Sequence, residues 1–244
     1  NKKENFQNSN QKYIFFTGGF DSTAILVDSL INTNNVIQPI YISDPNLDSI
    51  SKIKRNNHLI EMKTMYKIIN NLKKDYPEKS NNLKDLKIIN TVEYDDKTKN
   101  QMMDLYLNKY SYRPVRQYGG MAQVCKNLNI NADVGVIKGD DLWEKLTHKH
   151  VGNNEFIKNK KRISNYGKNN CKLDLKNCEA YFEVYSRFNF PFLHLTKEEI
   201  YEKSIKEKWD KYLDITWSCW FPQNEKPCGR CDMCKGRIIP YKSN

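Results

Sequence analysis

Two groups of residues in this 244-residue chain have the types and spacing to do chemistry. The first is Thr17-Gly18-Gly19-Phe20-Asp21-Ser22-Thr23. Its glycines let backbone N–H groups approach anionic oxygens closely, and a helix starting just beyond them adds partial positive charge. Thr17, Ser22 and Thr23 supply hydroxyl donors. Asp21 is the odd member, because a carboxylate beside a polyphosphate is repelled unless a cation lies between them. Mg²⁺ shared by Asp21 and the phosphates resolves that conflict. The competing reading is an ordinary strand–helix turn with Asp21 and Ser22 as helix caps. The second group is Cys219, Cys228, Cys231 and Cys234, spaced Cys-x8-Cys-x2-Cys-x2-Cys. A Cys-x2-Cys step brings two thiolates to one tetrahedral ion at about 2.3 Å, and four thiolates close a structural Zn²⁺ site. An iron–sulfur cluster also takes four cysteines and stays open as the alternative.

Strands and helices must position these groups. Tyr13-Ile14-Phe15-Phe16 reads as a strand over 12–16 buried on both faces, and the stripe from Ile25 to Leu30 as a helix over 22–32. Val36 to Ile42 is a second strand. Apolar periodicity gives a helix over 50–74, and further segments give a strand over 86–92 and a helix over 97–108. After Arg113 to Gly120 a helix runs to Leu128, followed by a strand over 132–137 and a capped helix from Thr196 to 208. Strands alternating with helices specify an α/β fold with a doubly wound parallel sheet. Ligands in such sheets bind beyond the carboxyl ends of strands, where 17–22, 43–46 and 138–141 fall. In outline, residues 1–10 form a disordered tail and 11–212 the nucleotide-binding domain, with 150–178 a polar surface excursion. Residues 213–244 are a metal-binding segment packed on that domain.

The net charge of +11 and pI near 9.1 favour phosphate ligands, but the basic residues are scattered, so the nucleic-acid signal is weak. No stretch approaches about 18 consecutive apolar residues, which gives no membrane span. Seven cysteines, four of them crowded together, argue against a disulfide framework and for a reducing, cytoplasmic setting.

The loop resembles the Ser-Gly-Gly-x-Asp-Ser pyrophosphate loop of the ATP pyrophosphatases, with Thr17 in place of Ser. The tail Thr216-Trp217-Ser218-Cys219-Trp220, then Pro227-Cys228-Gly229-Arg230-Cys231-Asp232-Met233-Cys234 and Arg237, resembles the 7-cyano-7-deazaguanine synthase family. Phe192-Leu193 and Thr196-Lys197-Glu198-Glu199-Ile200 extend the likeness. The resemblance implies a Rossmann-like, adenine nucleotide alpha hydrolase-like fold and a homodimeric, ATP-dependent C–N ligase. That ligase adenylates the carboxylate of 7-carboxy-7-deazaguanine, aminates it with ammonia and dehydrates the amide to the nitrile. It also implies ATP binding by Thr17, Gly18, Gly19, Phe20, Asp21, Ser22, Thr23 and Ile42. Asp21, Ser22, Lys197 and Arg116 are the implied catalytic residues, and the four cysteines the Zn²⁺ ligands.

This sequence departs from the family's pattern at the acceptor site. Asp44-Pro45-Asn46-Leu47-Asp48 stands where a Gly-Gln-Arg-His segment leading to Glu is usual, with Arg55, His58 and Glu61 beyond it. Pro114-Val115-Arg116-Gln117 replaces Pro-x-Arg-Asn, and Gly139-Asp140-Asp141-Leu142-Trp143 replaces the usual deazapurine-recognition segment. Two other readings remain: a tRNA-modifying adenylating enzyme with sulfur on Cys125, Cys171 or Cys178, and a non-catalytic nucleotide-binding homologue.

Overall fold

The computed structural model describes residues 10–43, 56–107, 112–150, 156–158, 162–169 and 171–238. Within these spans the side chains of Tyr106, 112–116, Asp141, Lys145, 148–150 and 156–158 lie outside the description. Residues 44–48 and Arg55, singled out in the sequence, also fall outside it. In chain order the elements are β1 (Gln11–Phe15), α1 (Phe20–Asn32), β2 (Val36–Ile42), α2 (His58–Asp75), α3 (Pro77–Ser80) and β3 (Lys87–Ile89). Next come α4 (Asp96–Leu107), α5 (Tyr112–Leu128), β4 (Ala132–Asp133), α6 (Asp141–Thr147), β5 (His148–His150) and β6 (Phe156–Lys158). The last are β7 (Ile163–Ser164), β8 (Lys172–Leu173), β9 (Phe188–Asn189), α7 (Lys197–Lys206), α8 (Asp210–Asp214) and α9 (Asp232–Lys235). This is the expected α/β fold, a mostly parallel sheet with flanking helices, and it divides into two compact units.

One unit comprises Asn10–Asn90 with Lys197–Asn244. Its strands are parallel in the order β3-β2-β1, the order of one nucleotide-binding half of a doubly wound sheet. Ile14, Phe16, Ile37 and Ile40 are buried, which explains why β1 and β2 read as apolar runs. α1 is buried from Phe20 to Leu30 except for partial exposure at Asp21, so even Asp28 needs a partner and takes Lys203 of α7 at 2.8 Å. Trp209, Tyr212 and Leu213 complete this core from the C-terminal side of the sequence.

The other unit contains Thr91–Thr196. β4 pairs in parallel with β9, and β8 and β7 continue antiparallel. Four details differ from the sequence expectation. α5 starts at Tyr112 rather than after Gly120, and the missing Cβ of Gly119 leaves space that the Met102 side chain of α4 fills. β4 stops at Asp133 rather than 137, because Val136 N–H turns back to the Val134 carbonyl at 2.9 Å and the Asp140 carboxylate accepts from Ile137 N–H at 3.0 Å. Within 150–178, read as a surface excursion, β7 and β8 extend the sheet edge and Arg162, Ile163 and Cys171 are buried. Arg162, fully enclosed, is held by Glu179 and lies 4.7 Å from the Phe182 ring centroid. Likewise α2 begins at His58, not at residue 50, with 50–55 outside the description.

Asp95 organises the start of α4. Its carboxylate accepts from Thr98 N–H at 2.9 Å and from Gln123 Nε2 at 3.1 Å, and Lys126 Nζ lies 2.6 Å away. Lys126 first, then the Thr98 amide, hold this carboxyl well below the usual carboxylate range. We expect Asp95→Ala to cost about 1 kcal/mol at pH 7, mostly as a lost helix cap, since the ion pair is part-exposed and screened. A depressed folded-state pKa stabilises fully only above the unfolded value, near 3.9, and loses that contribution as pH falls further. Urea denaturation should therefore show the gap between wild type and Asp95→Ala narrowing from pH 7 to pH 3.

Candidate functional site

The phosphate-type loop leaves β1 and turns sharply into α1. Gly18 has φ +71°, and a Cβ there would meet Met65 Cγ at 3.2 Å, Thr64 Cγ2 at 3.3 Å and the Glu61 carbonyl at 3.4 Å. Glycine is thus required both by the left-handed backbone and by the closeness of α2. Gly19 is the N-cap of α1 and no side chain caps it. The first bond into the helix runs from Thr23 N–H to the Gly19 carbonyl at 3.0 Å. Asp21 and Ser22 therefore lie inside the first turn instead of capping it, contrary to the plain-turn alternative. Ser22 Oγ is turned inward, accepting from Thr17 N–H at 3.2 Å and donating to the Gly19 carbonyl at 3.3 Å, with Thr17 Oγ1 3.3 Å away. Thr17 Oγ1 also accepts from Gly19 N–H at 3.4 Å. These bonds hold the turn at a helix N-terminus that no side chain caps, with Asp21 in its first turn. The Thr23 side chain, by contrast, is fully buried, and its hydroxyl has no hydrogen-bond partner among the described residues.

The parallel register sets Phe15 beside Ile40, so the chain beyond β1 runs level with Ile42 and Ser43 at the end of β2. Next to the loop, Glu61 of α2 accepts from Tyr41 Oη and from Asn57 Nδ2, both at 2.7 Å. Of the downstream residues read from the sequence, Glu61 is therefore held in place near the loop, whereas His58 is exposed. Lys197 opens α7, is half-buried, and belongs to the same unit as the loop; it forms no ion pair among the described residues. Arg116 lies in the first turns of α5, in the other unit, and its side chain is outside the description, as is that of Arg113.

The four cysteines come together as their spacing requires. Their sulfurs all lie within 4.8 Å of one another, with Cys231–Cys234 at 3.5 Å and Cys228–Cys234 at 4.0 Å. A tetrahedral ion with metal–sulfur bonds of about 2.3 Å sets sulfur–sulfur edges of about 3.8 Å, so the donors fit one Zn²⁺. In an iron–sulfur cubane each thiolate binds a different iron and the sulfurs stand farther apart, which makes the single ion the better fit. Gly229, at φ +69°, takes the turn between Cys228 and Cys231. N–H groups led by that of Arg230 pull the Cys228 thiol down, while burial pushes that of Cys234 up.

Sequence reading missed one connection here. The Trp217 N–H donates to the Gly18 carbonyl at 2.9 Å, and Trp217 packs with Cys219 and Cys231. Trp217 was visible within its motif, but nothing in the sequence says which loop its backbone meets. The other three cysteines lie outside this cluster. Burial pushes Cys125 up to about 12 and Cys178 up to about 11, and raises Cys171 as well. Among the described residues no helix is long and apolar enough to cross a membrane.

Comparison with known proteins bears on the C-terminal part. Residues 152–244 match the family model described as queuosine biosynthesis protein QueC. The 7-cyano-7-deazaguanine synthase of Prochlorococcus marinus strain AS9601 is 48% identical over 54 residues, 21% of this chain and 22% of that protein. The synthase of strain MIT 9301 is 46% identical over 54 residues, with the same shares. The chain thus spans about a fifth of the length of the curated relatives it matches. No solved structure matches. The QueC-like segment contains Lys197 and all four clustered cysteines, while Thr17 to Thr23 precede it.

Two substitutions test this geometry. Gly18→Ala should destabilise the protein by about 1–3 kcal/mol, read as a lower thermal midpoint, since the new methyl must displace α2 in a left-handed backbone. Cys231→Ser should reduce bound zinc well below one equivalent per chain by elemental analysis, and wild-type protein holding its metal should be colourless.

Proposed function

We propose that this chain is an ATP-dependent enzyme that adenylates a carboxylate and aminates it, acting on 7-carboxy-7-deazaguanine or a close deazapurine relative. The observation that carries this reading is the uncapped start of α1 behind a left-handed Gly18, in one unit with a QueC-like cysteine knuckle. The amides of the first turn and the hydroxyl of Thr17 would receive the β- and γ-phosphates, with Ser22 bracing the turn from beneath. Asp21 would hold Mg²⁺, which neutralises charge on the departing pyrophosphate. Ile42, at the adjoining strand end, would line the nucleotide side.

In the first half-reaction a substrate carboxylate oxygen attacks the α-phosphorus and pyrophosphate leaves. Ammonia then displaces AMP to give the amide. In the second half-reaction the amide oxygen attacks the α-phosphorus of another ATP and pyrophosphate leaves, and loss of AMP and both N–H protons then leaves the nitrile. Lys197, in the first turn of a helix packed on α1, is the cation in this unit assigned to the leaving-group charge, with Arg116 as a second candidate. Zn²⁺ in the Cys219, Cys228, Cys231 and Cys234 knuckle has a structural role. The protein would work as a homodimer in the cytoplasm on small molecules. The raised thiols of Cys125, Cys171 and Cys178 weigh against the tRNA-thiolation alternative.

Incubation with ATP, Mg²⁺, ammonia and 7-carboxy-7-deazaguanine should release AMP and pyrophosphate and yield the nitrile, followed by mass spectrometry. Asp21→Asn should lower kcat at least a hundredfold, about 3 kcal/mol of transition-state stabilisation. AMP release without nitrile would move the acceptor to another carboxylate. ATP binding without turnover, unaffected by Asp21→Asn, would make the chain a nucleotide-binding homologue.

A further inference from the structure

The contacts around Trp217 run without a break from the cysteine knuckle to the phosphate loop, all within one unit. Cys219 Sγ accepts from Cys228 N–H at 3.2 Å, and the Cys219 carbonyl accepts from Trp217 Nε1 at 2.8 Å. The indole is buried against Cys219 and Cys231, with Ile60 of α2 and Phe221 around them. The Trp217 backbone then reaches the loop on both sides of its turn. Its N–H donates to the Gly18 carbonyl at 2.9 Å, and its carbonyl lies 3.6 Å from where a Gly19 Cβ would stand. Arg237 steadies the same segment, donating from Nη1 to Thr216 Oγ1 and to Ser218 Oγ, each at 3.2 Å. Gly18 thus lies between α2, through Met65, Thr64 and the Glu61 carbonyl, and the Trp217 amide.

We infer that Trp217 is a positioning residue through which metal in the cysteine knuckle sets the phosphate loop, so that metal binding and pyrophosphate binding strengthen each other. This rests on the nucleotide reading of Thr17 to Thr23. Closing four thiolates on one ion fixes Cys219 and Cys231, those two fix the indole, and the indole fixes the one amide that holds the Gly18 carbonyl. A loop whose donors are held in place before binding loses less conformational entropy on taking up phosphate. Because the coupling is thermodynamic it must be reciprocal, of equal size whichever ligand is varied. Reciprocity holds for any coupling, so the readouts that single out Trp217 are its substitutions and exchange confined to residues 17–23.

The test uses the full chain, with zinc loaded or removed by a chelator, and inorganic pyrophosphate with Mg²⁺ as the probe. Calorimetry should show pyrophosphate affinity falling at least about fivefold on zinc removal, and zinc affinity rising by the same factor when pyrophosphate saturates. Hydrogen exchange should speed up at residues 17–23 on zinc removal while the interior of α1 stays protected. Trp217→Ala, still binding zinc, should lose the coupling, and Trp217→Phe, which keeps the packing but not the bond to Cys219, should retain part of it. Should Trp217→Ala fail to fold, Trp217→Phe decides: full wild-type coupling there excludes the indole bond as the link. Equal pyrophosphate affinity and equal exchange at 17–23 with and without zinc overturn the inference while leaving nucleotide binding intact. If the zinc-loaded wild type binds no pyrophosphate or ATP, the nucleotide reading fails, and exchange at 17–23 still reports whether metal sets the loop.

Discussion

The hydrogen bond from the Trp217 amide to the Gly18 carbonyl joins a turn near the start of the chain to a segment near its end. Its strength as a single bond is modest, about 1 kcal/mol net. Its importance is geometric, because Gly18 has left-handed dihedrals and the shape of its turn decides where the first amides of α1 point. α2 closes on one side of that glycine and Trp217 on the other, so neither neighbour can shift without moving the turn. The glycine is small because both partners are close.

The rest of the unit follows from that requirement. β1 is buried at its C-terminal end, at Ile14 and Phe15, and its parallel register with β2 fixes the height at which it delivers the turn. α1 must be buried on nearly every side to act as a rigid floor, which is why it encloses Asp28 and answers it with Lys203. The C-terminal segment has few apolar residues of its own, so a metal-closed knuckle is a physically reasonable way to give Trp217 a fixed seat. Glu61, held by Tyr41 and Asn57, adds a fixed carboxylate to the same end of the sheet.

Much of this was legible in the residues. β1, β2 and α4 were placed to within a residue or so, because apolar runs and helical periodicity are local signals. The cysteine knuckle was legible from spacing alone, since a Cys-x2-Cys step admits few other geometries. α5 was misplaced at its start because Tyr118-Gly119-Gly120 looks like a turn until the Met102 side chain that occupies the space beside Gly119 is known. The span around Arg162 read as surface because of its Lys and Asn content. Burial of an arginine depends on a partner such as Glu179, which the local sequence does not announce.

By itself, then, the sequence determined which chemistries are available: an anion-cradling turn with a carboxylate, and four thiolates at tetrahedral spacing. Both depend on residues a few positions apart, whose relative geometry the backbone restricts. The tertiary structure alone decided that these two sites are joined through Trp217, that α1 starts uncapped at Gly19, and that Cys125 is buried in the core. Each of those outcomes is set by contacts between distant segments, and packing, unlike local spacing, is not written at any one place in the chain.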